Sequence, residues 1–336
     1  MQINILAIES SCDDTSISLV QNGVILSNIT ANQEIHIKYG GVVPESASRA
    51  HMENLLPVVK ASLHKSTMRL SDLQCIAVTK GPGLLGSLIV GVSFAKGLAM
   101  GLNLPLITVN HLEAHVASLL IDRENVQYPF LCMTVSGGHT QLVIVDENLN
   151  MKIIGQTIDD AAGEAFDKIG KLLGLPYPAG PHIDKLSELG EATFSFPISK
   201  MSEYNYSFSG LKTSVLYFLK KELEKNPEFI SQNLNNLCRS VQDTIIESLL
   251  RKAKMAMIDH GIKTIGIAGG VSANRGLRSK LTNMADENQW NVLIPKFEYC
   301  TDNAAMIGFL AHKKYQKNQF ANIDFTPLAR YPIGAQ

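Results

Sequence analysis

Apolar and polar positions alternate along residues 6–20, LAIESSCDDTSISLV, and again along residues 131–145, LCMTVSGGHTQLVIV. Each run predicts a strand, a turn of small polar residues and a second strand, since side chains of a strand point to opposite faces with a period of two. Turns built from Ser, Gly, Asp and Thr also leave backbone N–H groups free to meet an anion. A third segment, residues 263–278 (KTIGIAGGVSANRGLR), predicts a strand ending at Gly269-Gly270 and a helix starting after Ser272 or Asn274. That arrangement suits a nucleotide's base or ribose. The period becomes helical in residues 48–66, where Met52, Leu55, Leu56, Val59 and Leu63 share one face and Pro57 marks a kink. Residues 229–261 read as one long helix closing at Gly261. The repeated plan predicts an α/β chain of two domains facing each other across a cleft, with the boundary in a short crossover near residues 120–130.

With 336 residues, 45% of them hydrophobic, the chain can bury cores for two domains. Its formal charge of −1 leaves no global basic excess, so contact with nucleic acid must come from a partner or a local run such as residues 251–254 (RKAK) or 312–314 (HKK). Five cysteines, Cys12, Cys75, Cys132, Cys238 and Cys300, show no paired spacing, which predicts a reducing, cytoplasmic setting. The start, MQINILAIESS, has no basic stretch and its apolar run is broken by Glu9, so a buried strand is expected rather than a secretion signal. Residues 84–102 approach membrane-spanning length, yet Lys96, two serines and four glycines favour a helix buried between protein layers; no membrane association is expected. The preceding loop, residues 80–87 (KGPGLLGS), lacks the Gly-Lys-Ser/Thr ending of a P-loop. It is either a helix start that approaches an anion or a tight turn that needs glycine.

The stretch NHLEAH, residues 110–115, sets His111 and His115 four residues apart, the spacing that stacks two imidazoles on one side of a helix. A metal pair and a solvated helix face both fit this spacing. Glu113 does not share the histidines' face, and a metalloprotease HExxH would place its glutamate directly after the first histidine.

Seven segments then occur in order: IESSCDDTS, NHLEAH, TVSGGHTQL, GEAFDKIGKLLGLPYPAGP, YSFSGLKT, GGVSANRGLR and CTDNAAMIG. Together they closely resemble the universal tRNA N6-adenosine threonylcarbamoyltransferase family, once described as O-sialoglycoprotein endopeptidases. Any one string is weak evidence, whereas seven in order over nearly the whole chain make accident implausible. The resemblance implies duplicated RNase H-like domains of the actin/sugar-kinase/Hsp70 (ASKHA) superfamily facing a central cleft. Residues 1–125, joined by a helix near 302–318, would form one domain and residues 126–301 the other. It implies transfer of a threonylcarbamoyl group from threonylcarbamoyl-adenylate to the N6 amine of the adenosine 3′ of the anticodon, in tRNAs reading codons that begin with A, with release of AMP.

The family's metal ligands map onto His111, His115 and Asp302, implying one divalent metal per chain, Fe2+ in preference and Zn2+ as the alternative. Three protein ligands leave open positions, the mark of a catalytic site. Nucleotide contacts carry over to Thr134, Val135, Ser136, Gly137 and Gly138, to Asp167, Gly180 and Asp184, and to Asn274. In isolation, Asp167 and Asp184 also fit solvated helix positions, and Asn274 a helix cap. Asp13 or Asp14 is the candidate for proton handling. The implied partners are tRNA, the adenylate, an inactive paralogous subunit and a small ATPase. Two departures stand out: Asp14 occupies a position where the family often has glutamate, one methylene longer, and Ala179-Gly180 replaces the usual Gly-Gly. A sugar-kinase-like phosphotransferase would have no use for two histidines and an aspartate on a metal, a metallopeptidase would need a base beside it, and a non-enzymatic scaffold would not need to keep all three ligands.

Overall fold

Two sheets with the same strand order organise the chain in the computed structural model, which describes residues 2–33, 36 and 39–335. The first contains β1 (Asn4–Glu9), β2 (Thr15–Gln21), β3 (Val24–Ala31), β4 (Cys75–Gly81) and β5 (Leu106–Asn110), in the order β3-β2-β1-β4-β5. β1, β2 and β3 pair antiparallel, whereas β4 and β5 run parallel to β1. Every residue of β1 is buried because both faces of the sheet are covered. Leu6 and Ile8 point into a core with α1 (Pro44–Ser66) and α2 (Leu85–Leu102), while Ala7, on the opposite face by the strand's alternation, meets α9 (Ala304–Gln316). Gly308 of α9 allows that approach: a Cβ there would lie 2.5 Å from Val20 and 3.1 Å from Ala7.

The second sheet repeats the plan. β6 (Phe130–Val135), β7 (Thr140–Val145) and β8 (Met151–Gln156) form the antiparallel run, and β9 (Thr264–Ala268) and β10 (Asn291–Leu293) the parallel one, in the order β10-β9-β6-β7-β8. Its core is closed by α4 (Ala162–Leu172), α5 (Ala179–Ser187), α6 (Ser209–Lys225), α7 (Phe229–Asp259) and α8 (Arg275–Asn288). The chain divides into two compact units, Met1–Val126 with Pro295–Gln336, and Gln127–Ile294, each organised around one of the sheets.

The helix expected over residues 48–66 begins earlier, at Pro44, and buries a different stripe. Ala47, His51, Leu55, Val58, Val59 and Ser62 face inward, whereas Met52 and Leu56 are exposed. His51 and Ser62 displace the apolar residues because each has a buried partner, Thr15 for the first and Ser27 for the second. Among the described residues α2 alone is long and apolar enough to cross a membrane; Leu88, Val92, Ala95 and Ala99 are packed into the core of the first sheet. All five cysteines are free thiols, and Cys75, Cys132, Cys238 and Cys300 are buried.

Candidate functional site

The parallel strands β1, β4 and β5 end at the same edge of their sheet, and such carboxyl ends are where α/β folds place ligands. They deliver Glu9, Thr79 and Asn110, with His111 next. Asn110 starts α3 (His111–Ala117): its side-chain oxygen accepts the N–H groups of Leu112 at 2.9 Å and Glu113 at 3.3 Å. Its side-chain nitrogen donates to the carbonyls of Tyr331 and Pro332, tying the cap to the chain's last residues.

From this helix both Nε2 atoms converge on one carboxylate oxygen. His111 Nε2 lies 3.4 Å, and His115 Nε2 3.1 Å, from Asp302 Oδ1. One ligand atom from each of the three lies within 4.8 Å of the others. Asp302 sits just before α9, whose first turn is fixed when Ala304 N–H donates to Ser16 Oγ and Asn303 Oδ1 accepts from Met306 N–H. Two imidazoles and a carboxylate on rigid element ends fit a divalent cation of the iron or zinc type. Glu113 turns away and accepts the N–H of Gly334 at 2.9 Å.

The charges around this cluster are strongly coupled. Burial works against protonation of His111, but the carboxylates of Asp302 and Glu9 outweigh it and hold the imidazole well above its usual pKa. Burial would raise Glu9 and Asp302, yet the His111 charge pulls both below the carboxylate range. His115 goes the other way, because burial and the neighbouring His111 charge prevail over its bond to Asp302.

Asp13 and Asp14 lie on the loop between β1 and β2. His51 pins it: because a backbone carbonyl only accepts, Nε2–H donates to Cys12 O at 2.9 Å and Nδ1 accepts from Thr15 Oγ1 at 2.7 Å. Burial, followed by the negative charges of Asp302, Asp13 and Glu9, pushes the Asp14 carboxyl up to about 7. The glycines at 81 and 83 serve close packing. A Cβ on Gly83 would lie 2.3 Å from Ser11 O, one on Gly81 would lie 2.0 Å from Leu328 O, and the Leu84 N–H already donates to Ser11 O. The tight-turn reading of residues 80–87 is the one this packing supports.

In the second unit the nucleotide candidates form a ring of contacts. Ser136 accepts the N–H of Gly163 at the start of α4, and a Cβ on Gly269 would strike Val135 O at 2.6 Å. One turn beyond Gly163, Asp167 accepts the N–H groups of Ala179 and Gly180 at 2.7 and 3.4 Å. Asp184 accepts those of Arg275 and Gly276 and so caps α8, next to Asn274. Asn274 is engaged at both ends of its amide: it accepts from Leu277 N–H at 2.8 Å and donates to Gln242 Oε1 at 2.6 Å. Asp167, Asp184 and Asn274 therefore hold helix starts in place. Thr134 and Val135 are buried in β6, whereas Gly137 and Gly138 are exposed with nothing among the described residues within 4 Å of where a Cβ would sit. Gly180 is similarly open, its nearest neighbour being Phe166 at 3.9 Å.

The two basic runs differ: the one at 312–314 is engaged by its own unit, whereas in the one at 251–254 Lys252 is tied down and Arg251 stays exposed. In residues 251–254 Lys252 donates to the carbonyls of Met201 and Glu203; in residues 312–314 His312 is buried, Lys313 lies over the Phe309 ring and Lys314 donates to Thr108 O. The pattern of the sequence did not assign roles to Glu9, Ser11, Thr79, His51 or Asn110. Glu9 gave a signal, a carboxylate closing an apolar strand; the other four are ordinary polar residues, each with at least one partner far away in the chain.

A family model described as tRNA N6-adenosine threonylcarbamoyltransferase matches residues 24–309. Proteins of that name from Riemerella anatipestifer and Cytophaga hutchinsonii are 55% and 52% identical, each match covering 99% of this chain and 98% of the relative. Among solved structures, HypF from T. kodakarensis is similar with a TM-score of 0.61 at 14% identity over 94% of this chain and 48% of its own. Component A of the Acidaminococcus fermentans (R)-2-hydroxyglutaryl-CoA dehydratase has a TM-score of 0.54 at 14% identity, covering 94% of this chain and 99% of its own. These are likenesses of fold, and with the repeated strand order they show a duplicated RNase H-like fold of the ASKHA type. By sequence over nearly its whole length, the chain belongs to the tRNA N6-adenosine threonylcarbamoyltransferase family.

Proposed function

We propose that this protein transfers the threonylcarbamoyl group from threonylcarbamoyl-adenylate to the N6 amine of the adenosine 3′ of the anticodon, in tRNAs reading codons that begin with A. The observation that carries this reading is the convergence of His111 Nε2 and His115 Nε2 on Asp302 Oδ1 in a chain of this family. The adenylate is a mixed anhydride and already activated. The amine nitrogen attacks the carbamoyl carbon, the bond from that carbon to the phosphate oxygen breaks, and AMP leaves with the electron pair. The protein supplies alignment, charge stabilisation and an acceptor for the amine proton. Asp14, with its carboxyl near 7, is poised to take that proton, and Asp13 is the neighbouring candidate. His111, His115 and Asp302 hold one divalent metal, Fe2+ in preference and Zn2+ as the alternative, which when bound supplies Lewis acidity toward the carbamoyl or carboxylate oxygens. The turn of half-buried Ser136 and exposed Gly137 and Gly138 takes the phosphate side of the adenylate, and Gly180 leaves room for it.

The reaction takes place in the cytoplasm with partners. An inactive paralogous subunit docks on the outer face of α1 and α2, where Met52 and Leu56, and Leu85 and Ile89, are exposed at helical i, i+4 spacing. The two helices pack closely, because a Cβ on Gly86 would lie 2.4 Å from Ser48 Oγ. A small ATPase completes the assembly. Mass spectrometry of tRNA nucleosides from cells depleted of this protein tests the reading: threonylcarbamoyladenosine disappears and returns with the wild-type gene. An undiminished level of the nucleoside would rule it out.

A further inference from the structure

Outside the three proposed ligands, one further carboxylate among the described residues of the first unit is wholly shielded from solvent and faces a ligand ring. Glu9 is 0% exposed at the end of β1. Its Oε1 accepts the Ser11 N–H at 2.5 Å, and its Oε2 accepts from Thr79 Oγ1 at 2.7 Å and faces His111 Nδ1 at 3.0 Å. Ser11 Oγ stands 3.1 Å from the same ring nitrogen. The other nitrogen of that ring points toward Asp302. His115 differs: its Nδ1 is buried without a hydrogen-bond partner among the described residues. His111 is thus held at both ring nitrogens, whereas His115 is held at Nε2 alone.

A buried carboxylate that already receives two donors is an acceptor for a third, and the only donor His111 can offer it is Nδ1–H. An imidazole carrying its proton on Nδ1 has its lone pair on Nε2. We propose that Glu9 is a positioning residue: its carboxylate takes the Nδ1–H of His111 and thereby fixes the ring's tautomer and aims its Nε2 lone pair at the metal. Strand order explains the placement. β1 and β4 are parallel neighbours, so Glu9 and Thr79 reach the same edge as the start of α3. The inference rests on the metal reading of His111, His115 and Asp302 given above.

The test uses the full chain loaded with Co2+ or Zn2+. In chelator competition, Glu9→Gln is expected to bind either ion about 10- to 100-fold more weakly than wild type, the usual effect of losing a carboxylate behind a ligating histidine. Its circular dichroism should match wild type. An equal affinity in the folded variant would overturn the inference while leaving the metal reading intact. Should Glu9→Gln fail to fold, the zinc-loaded wild-type chain decides: 15N NMR of the histidines is expected to show His111 protonated at Nδ1 and metal-bound at Nε2. The opposite assignment would contradict the role of Glu9, and a wild-type chain that bound neither ion would overturn both readings.

Discussion

His115 Nε2 lies 3.1 Å from Asp302 Oδ1, although 187 residues of chain separate them. The contact exists because α3 and α9 pack together in one unit. Replacing Asp302 by Asn, or either histidine by Ala, is expected to lower bound metal and to reduce transfer by at least about a hundredfold, the scale of several kcal/mol of charge stabilisation. Asp302→Asn is the cleanest of the three, since its side chain is 25% exposed and its shape is kept. His115→Ala should also lower the Tm because it empties a fully buried site. Metal analysis beside a transfer assay checks both statements; a variant that lost its metal and kept full activity would contradict them.

Asp14 gives the account a pH signature. Its carboxyl is pushed up to about 7 in the folded chain, against roughly 3.9 when unfolded. The folded chain keeps this proton where the unfolded chain has lost it, so the group's contribution is fully present below about pH 4 and is lost as pH rises to about 7. Asp14→Asn cannot ionise. Its Tm relative to wild type, both free of metal, should climb between pH 4 and 7 and then level off. A difference independent of pH would mean that Asp14 titrates normally. Loss of a general base should also cut kcat by about 10²- to 10⁴-fold.

Asp184 receives the backbone N–H groups of Arg275 and Gly276 at 3.1 to 3.3 Å, next to Asn274. Asp184→Ala removes that cap from α8, which should cost on the order of 1 kcal/mol of stability. Adenylate affinity should fall with it, measured by calorimetry, while metal content stays at the wild-type level. If the variant lost its metal instead, Asp184 would have to act on the other unit's cluster.

Glu113 stands within the His111–His115 pair but binds the N–H of Gly334. Glu113→Ala should therefore keep its metal and its activity, shift stability by no more than about 0.5 kcal/mol, and make residues 329–335 easier to cleave in limited proteolysis. Metal loss in this variant would place Glu113 among the ligands.

Much of the fold was legible because it is periodic. The two strand-turn-strand runs at 6–20 and 131–145 became β1-β2 and β6-β7, and the paired glycines at 269 and 270 end β9 as expected. The stripe on α1 was misjudged at Met52 and Leu56, since hydrophobicity alone does not reveal that His51 and Ser62 have buried partners that draw them inward. His111 and His115 announced themselves by spacing, whereas Asp302 entered only through family resemblance. Glu9 was visible as a carboxylate in an apolar strand, but its function depends on Thr79 and His111, which are 70 and 102 residues away. Long-range hydrogen bonds leave no local pattern. The helix-capping roles of Asp167 and Asp184 were hidden for the same reason.

The central claim is that His111, His115 and Asp302 hold a metal that serves the transfer of the threonylcarbamoyl group. The most direct measurement strips the wild-type chain with a chelator and assays it with pre-made threonylcarbamoyl-adenylate, its partner proteins and tRNA. The account predicts a loss of at least about a hundredfold, with activity restored when Fe2+ or Zn2+ is returned in stoichiometric amount. Full activity of the stripped chain, verified free of metal, would contradict it.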